Sequence, residues 1–278
     1  MTGDARPRGG HDRAHRRAVL AAIVLAMLVA IVIVGPIAWR VDPDAIDLAN
    51  VAAPPGTGHP LGTDENGRDV LARLLAGGRV SLAVGFAAVG CAAVLGIVLG
   101  AVAALGGRRL EALVMRFTDA MLSIPALFLI IAVLAFAGAS AAGLILAIGG
   151  TSWMGLARLV RGELLGIREQ PFVEAARALG ARPVRVMARH AFPHLAPSVS
   201  VNLTFGVGTA ILMESALSFL GLGIQPPAAS WGNMLTNAQN YLYASPWLAV
   251  YPGLLILATV VAVNVLGDAL RDRSDPVP

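Results

Sequence analysis

The residues able to do chemistry in this 278-residue chain are few, and their spacing is wrong for catalysis. All 21 basic residues are arginine. A P-loop needs a lysine on the β- and γ-phosphates and a Schiff-base enzyme needs one for its imine, so neither chemistry fits this chain. Cys91 is the one cysteine and lies in an apolar run, which leaves no disulfide framework and no thiolate metal cluster. Of the five histidines, His11 and His15 have an HxxxH spacing, and they sit in an Arg-rich polar tail where solvation explains them. No metal-ligand set is expected. What remains is a carboxylate among hydroxyls: Glu214, inside a long apolar run beside Ser215 and Ser218. A carboxylate at a membrane helix centre costs roughly 2.5–3.5 kcal/mol on insertion scales. Two roles would repay that: lining a translocation path with Ser215, Ser218 and Asn202, or pairing with a neighbouring subunit. Arg116 and Asp119 fit a local ion pair at the start of another apolar run.

The elements that must position these residues are membrane helices. The chain is 56% hydrophobic and 14% charged, with a mean hydropathy of +0.72. Soluble domains carry about 45–50% apolar and about 25% charged residues. Apolar runs of spanning length occur at Val19–Ala38, Val80–Leu105, Leu113–Ala137, Ala141–Ala157, Ser198–Leu222 and Trp247–Leu266, each near the roughly 20 residues that cross a bilayer. The first is too long for a secretory h-region and leads into Gly35-Pro36 rather than a cleavage site, so it reads as an uncleaved helix. Gly149–Ser152 interrupts the fourth run, and Ser123-Ile-Pro125 is placed to kink the third. Gly96 and Gly100 form a GxxxG pair suited to close helix packing.

Six crossings put both termini on one side, and arginine placement chooses the side. Only Arg40, Arg68, Arg73 and Arg79 lie on the opposite face, which leaves 17 of the 21 with the termini. The topology expected is N-in, C-in. A pI near 10.2 then reflects cytoplasmic arginines facing anionic lipid rather than nucleic acid.

Two polar segments do more than connect. On the outer side, Asn66 is placed to cap a short amphipathic elbow helix, with Asp69 and Arg73 paired at i,i+4 and Gly77-Gly78 ending it. Such a helix would lie along the membrane surface. On the inner side, Arg158–Pro197 holds seven arginines. Pro171 suits a helix start, Phe172, Ala175, Ala176 and Leu179 recur at i, i+3, i+4, i+7, and Gly180 stops the helix. A second helix is expected from Arg182-Pro183 toward Pro193. A short amphipathic helix on a polar loop has no partner within its own hairpin. A soluble cytoplasmic protein or the lipid surface would each accept it.

Glu174-Ala-Ala-Arg-Ala-Leu-Gly180, with Pro193 thirteen residues later, resembles the EAA signature of permease subunits of ABC importers; His190 and Phe192 depart from the pattern's usual isoleucine and leucine. Leu61–Asp69, Glu214–Pro227, Ser230–Met234 and Asn264–Asp272 are similar to the C-type subunit of the peptide/nickel branch. The resemblance runs from about Val19 to Arg273. It implies an all-α membrane protein with the type I importer permease fold, six transmembrane helices and a cytoplasmic coupling helix seated in an ATPase. Glu174, Ala175, Ala176, Arg177 and Gly180 would form that docking site. It also places Gln225, Trp231 and Asn233 near the outer gate and the binding protein, although Trp231 also fits an interfacial anchor.

The chain divides accordingly. Residues 1–79 form an Arg-rich tail, the first helix and an outer loop; 80–268 a five-helix core with the EAA loop at about 158–197; 269–278 a cytoplasmic tail. The implied function is ATP-driven import of di- or oligopeptides across the bacterial cytoplasmic membrane, without an ATPase site of its own. ATP and Mg would be bound by two ATPase subunits, a second permease subunit would complete the path, and a solute-binding protein would deliver cargo. A nickel or glutathione permease is open within the branch. A self-sufficient ion-coupled transporter would need inverted repeats and several midplane ionisable groups, and the chain offers only Glu214 and no repeat.

Overall fold

The computed structural model describes residues 9–180, 189 and 191–274. Among them the regular structure is helical: α1 Gly9–Ala38, α2 Val70–Leu105, α3 Gly107–Leu122, α4 Ala126–Ala137, α5 Ala141–Thr151, α6 Met154–Arg168, α7 Pro171–Ala178, α8 Phe192–Phe219, α9 Trp231–Ala238 and α10 Trp247–Ser274. Four of these are long and apolar enough to cross a membrane: α1 from Arg16, α2, α8, and α10 to Asp272. The pairs α3–α4 and α5–α6 pass the same test jointly and are bent by 95° and 40°. Counting each pair as one crossing gives the six expected.

The bends have local causes. Pro125 caps α4 with extended ψ, and it lacks the N–H that would continue α3. The expected kink is therefore a break. At the second bend the chain leaves helical geometry at Ser152, within the glycine-rich interruption noted in the sequence.

Packing follows membrane logic. Large apolar side chains such as Leu113, Val94 and Phe136 are 67%, 64% and 94% exposed, which water would penalise and lipid does not. The interior is built from α2, which α5, α6 and α8 flank; Val84, Leu144, Val160, Ile211 and Leu217 have no exposed surface. Helices α2 and α6 meet through the GxxxG pair. A Cβ on Gly100 would lie 2.6 Å from the Ala157 carbonyl oxygen and 2.8 Å from Val160 Cβ, and one on Gly96 would lie 2.8 Å from Leu156 Cβ. Gly100→Leu is thus expected to cost about 1–3 kcal/mol of overpacking, read as a lower melting temperature of the detergent-solubilised protein. Gly90 has open space at the corresponding point, so Gly90→Leu on the same helix serves as the neutral control.

Two sequence expectations about α2 are corrected. It begins at Val70, not Val80, and its cap is Asp69, which accepts from Ala72 N at 2.7 Å. No separate elbow helix lies on the membrane surface: Gly77-Gly78 sits inside α2. Helical glycine costs about 1 kcal/mol relative to alanine, but tertiary packing offsets that here. A Cβ on Gly77 would lie 3.0 Å from the Ser230 backbone, and one on Gly78 would lie 2.7 Å from the Trp231 ring. The glycines admit a neighbour rather than stop a helix. At 36 residues, α2 runs about 54 Å, so it extends well beyond a hydrocarbon core of about 30 Å. Helix α8 likewise starts earlier than expected, with Pro193 in its first turn and Pro197 inside it. The second cytoplasmic helix expected from Arg182 lies outside the described residues.

Candidate functional site

On the cytoplasmic side, α7 is an eight-residue helix, about 12 Å long. The Gln170 carbonyl accepts from Val173 N at 2.9 Å to open it, and Gly180, at φ +79°, ends it in a conformation that side chains disfavour. Val173 is 1% exposed, and Phe172 stacks on His194 with ring centroids 5.2 Å apart. Those two side chains hold the helix. Much of the remaining described surface is open: Glu174 and Ala175 are exposed, Ala176 is half-buried and Leu179 is 89% exposed. Glu174 also sits in the first turn, where the helix dipole favours an anion. The side chain of Arg177 lies outside the described residues.

Helix α6 leads directly into α7 and is tied to α3. Arg158 meets Asp119 at 2.6 Å, and Arg161 pairs with Glu111. Asp119 therefore does not take the local partner Arg116, because α3 turns that carboxylate toward α6.

The outer end is a network of buried charge. Asp64 accepts from the backbone N–H groups of Asn66 and Arg68, both at 2.9 Å, and from Arg68 Nε at 2.7 Å. Arg73, 3% exposed, reaches Asp64 at 3.3 Å, Asp44 at 3.1 Å and the Pro227 carbonyl at 3.3 Å. Asp69 accepts from Trp39 Nε1 at 3.0 Å and meets His59 Nδ1 at 2.9 Å. The i,i+4 pair of Asp69 with Arg73 does not form, since each side chain turns to a partner on another segment. In the adjoining loop, Asn50 donates to Asp47 at 2.7 Å and, with the Ala49 N–H, holds that carboxyl below its ordinary range. Buried charges persist only when paired and hydrogen-bonded, so this stretch clamps the first outer loop, the start of α2 and the 221–230 loop together. A cavity of about 250 Å³ lies among Asp64, Arg68, Arg73, Gln225 and Asn233.

Glu214 lies beneath this network with no exposed surface. Ser81 Oγ donates to Oε2 at 2.9 Å and Ser218 Oγ to Oε1 at 2.8 Å, with Ser215 Oγ at 3.4 Å. The same hydroxyls also accept: Ser81 from Trp231 N and Ser218 from Ile224 N, each at 3.1 Å. The carboxylate therefore orients two hydroxyls that grip both ends of the 224–231 segment. In this structure Glu214 presents no surface to a path or to another subunit, and its carboxylate is engaged by Ser81 and Ser218. Ser215 and Ser218 are buried with it, at 6% and 1% exposure.

Trp231 is also interior, at 0% exposure, and its indole donates to the Leu74 carbonyl at 3.0 Å. In this structure the ring packs inside the protein rather than at its surface. Asn233 is a half-buried clasp that accepts from Ser230 N at 2.9 Å and donates to Ala228 O at 2.8 Å. Gln225 alone of that trio is exposed. Its amide donates to the Gly221 carbonyl at 2.7 Å.

Asn202 faces a different place, an apolar cavity of about 310 Å³ bounded by α2, α4, α5, α6 and α8, where Ser152, Asn202 and Thr209 are the polar side chains. Among the described residues, no group of three or more His, Cys, Asp or Glu converges as a metal site requires. Sequence reasoning missed the whole Asp44–Asp64–Arg73 clamp. Its only visible signal was a density of charge beside a helix start.

The family model described as "binding-protein-dependent transport system inner membrane component" matches residues 92–277. The dipeptide transport system permease protein DppC of Alkalihalophilus pseudofirmus is 36% identical over 262 residues, covering 94% of this chain and 86% of that protein. The oligopeptide transport system permease protein OppC of Bacillus subtilis is 34% identical over 264 residues, covering 95% and 87%. Among solved structures, an inward-facing conformation of the MetNI methionine ABC transporter superposes with a TM-score of 0.60 at 19% identity, covering 72% of this chain and 95% of that one, and so shares the fold. On the family match and the two relatives, the chain belongs to the inner-membrane components of binding-protein-dependent transport systems, as a multi-pass permease subunit of an ABC transporter.

Proposed function

We propose that this chain is one half of a peptide-importing permease. A second permease subunit completes the pathway, two ATPase subunits bind ATP and Mg below it, and an extracytoplasmic binding protein delivers di- or oligopeptides above. The observation that carries the reading is α7: a short helix at the end of α6, anchored by Val173 and Phe172, with Glu174, Ala175 and Leu179 exposed and Ala176 half-buried beside them. Glu174, Ala175, Ala176, Arg177 and Gly180 make up the coupling element. The peptide class is supported by the dipeptide and oligopeptide permeases among the relatives.

The cavity at Asn202 is this subunit's share of the path, and the exposed Gln225 is its contact with the binding protein. Shifting a two-state permease from 1:99 to 99:1 takes about 5.5 kcal/mol of differential binding. A chain without a lysine for a P-loop draws that from nucleotide bound elsewhere.

The test is reconstitution. Vesicles holding this chain with its partner permease and ATPase subunits, plus binding protein outside, are expected to accumulate labelled peptide only when ATP is enclosed. Accumulation by this chain alone on a proton gradient would overturn the reading.

A further inference from the structure

The 95° break at Pro125 has a physical consequence for α3. If α4 runs across the membrane, α3 runs along it. Helix α3 also has the sidedness of a helix lying in an interface. Thr118 is fully buried, while Glu111 and Asp119 pair with arginines of α6. Phe117 stacks on Trp153 with centroids 6.1 Å apart, which fixes the helix rotation.

Beside that contact an apolar stripe, Leu110, Leu113 and the outer part of Phe117, is exposed by 38%, 67% and 55%. Arg109 and Arg116, seven residues apart, flank that stripe, are exposed, and have no acidic partner among the described residues.

We propose that α3 is an interfacial anchor, with its Leu110–Leu113–Phe117 stripe sunk into the cytoplasmic leaflet and Arg109 and Arg116 on the phosphates of anionic phospholipid. Three considerations select lipid as the occupant. A helix with an apolar face bordered by arginines is the pattern of interfacial segments, and each arginine near an anionic surface adds attraction. A second protein subunit on the same face would have to bury both unpaired guanidinium groups, whereas interface cores are depleted in charge. The height also fits: α3 follows directly on the end of α2 opposite the outer loop and meets the first half of α6 at Arg158 and Arg161. The crossing is then left to α4, whose 12 residues make about 18 Å of helix, together with the 123–125 link. A short span of this kind is accommodated by local thinning of the bilayer. Because ion pairs tie α3 to α6, lipid charge at α3 bears on the arm that carries the coupling helix.

The proposal rests on membrane embedding and stands apart from the transport reading, so its test needs no uptake. The whole transporter, with Cys91→Ser, carries a nitroxide at Leu113→Cys or at Ala112→Cys and sits in phosphatidylcholine vesicles with a minority of phosphatidylglycerol. Oxygen but not a water-soluble nickel chelate is expected to reach the label at 113, and the chelate is expected to reach the label at 112. A label at 113 reached by the chelate places α3 in water, and one reached by neither places it under another subunit. Either result overturns the proposal. In the same vesicles, Arg109→Gln with Arg116→Gln is expected to lower the preference for spin-labelled phosphatidylglycerol over phosphatidylcholine several-fold. An unchanged preference would show that these arginines do not bind the headgroups.

Discussion

Replacing Ala176 by tryptophan is expected to abolish ATP-driven uptake while the protein still inserts into the membrane in normal amount. Ala176 is half-buried on a helix whose neighbours Ala175 and Leu179 face outward. On the proposed function, that surface is seated in an ATPase subunit, where an alanine leaves room for close approach. An indole there overpacks the contact. Overpacking costs about 1–3 kcal/mol, which corresponds to roughly 5- to 150-fold weaker docking. Insertion depends on the apolar spans, none of which contains residue 176, so the defect separates from folding. Uptake, ATP hydrolysis and the membrane-bound amount of the variant, measured side by side, check this. Full uptake with tryptophan at 176 would remove α7 from the energy-coupling path. Ala176→Ser, which changes volume little, is expected to transport normally.

Glu214→Leu is expected to give the largest loss of stability among single changes at the outer end. It removes the acceptor for Ser81 and Ser218, and a buried donor left unmade costs about 1–3 kcal/mol. Two donors put the loss at roughly 2–6 kcal/mol, against a typical folding stability of about 5–15 kcal/mol. A serine hydroxyl in a helix can turn back to the carbonyl four residues earlier, which favours the lower part of that range. The turn would also redirect the lone pairs that receive Trp231 N and Ile224 N, freeing the 224–231 segment. A lower melting temperature and faster proteolysis within residues 221–230 are the measurements. Glu214→Gln separates this structural role from a transport role. It keeps one carbonyl acceptor, so it is expected to retain uptake with a smaller stability loss. A glutamine variant that is fully stable but unable to transport would return Glu214 to the pathway.

The outer clamp shows where sequence reading stops. Asp69 and Arg73 lie four apart on a helix start, and local spacing alone pairs them. In the structure Arg73 turns to Asp44, 29 residues earlier, and to Pro227, 154 residues later. Gly77-Gly78 carries the sequence signal of a helix stop, yet Ser230 and Trp231 need the space that those glycines leave. The burial of Glu214 is invisible for the same reason, since Ser81 stands 133 residues away along the chain.

By contrast, the sequence by itself determined the membrane class, the positions of the apolar runs, the N-in, C-in expectation, a bend near Pro125, and α7 with its glycine stop. Each of these depends on how a residue or a short window is solvated, or on which backbone angles it tolerates, and those quantities can be summed along one dimension. Tertiary structure alone decided which carboxylate meets which guanidinium, which glycine admits which neighbour, and that Trp231 faces inward. Those outcomes depend on distances between segments far apart in the chain, and in lipid no hydrophobic gradient marks in advance the face a helix will turn to its partner.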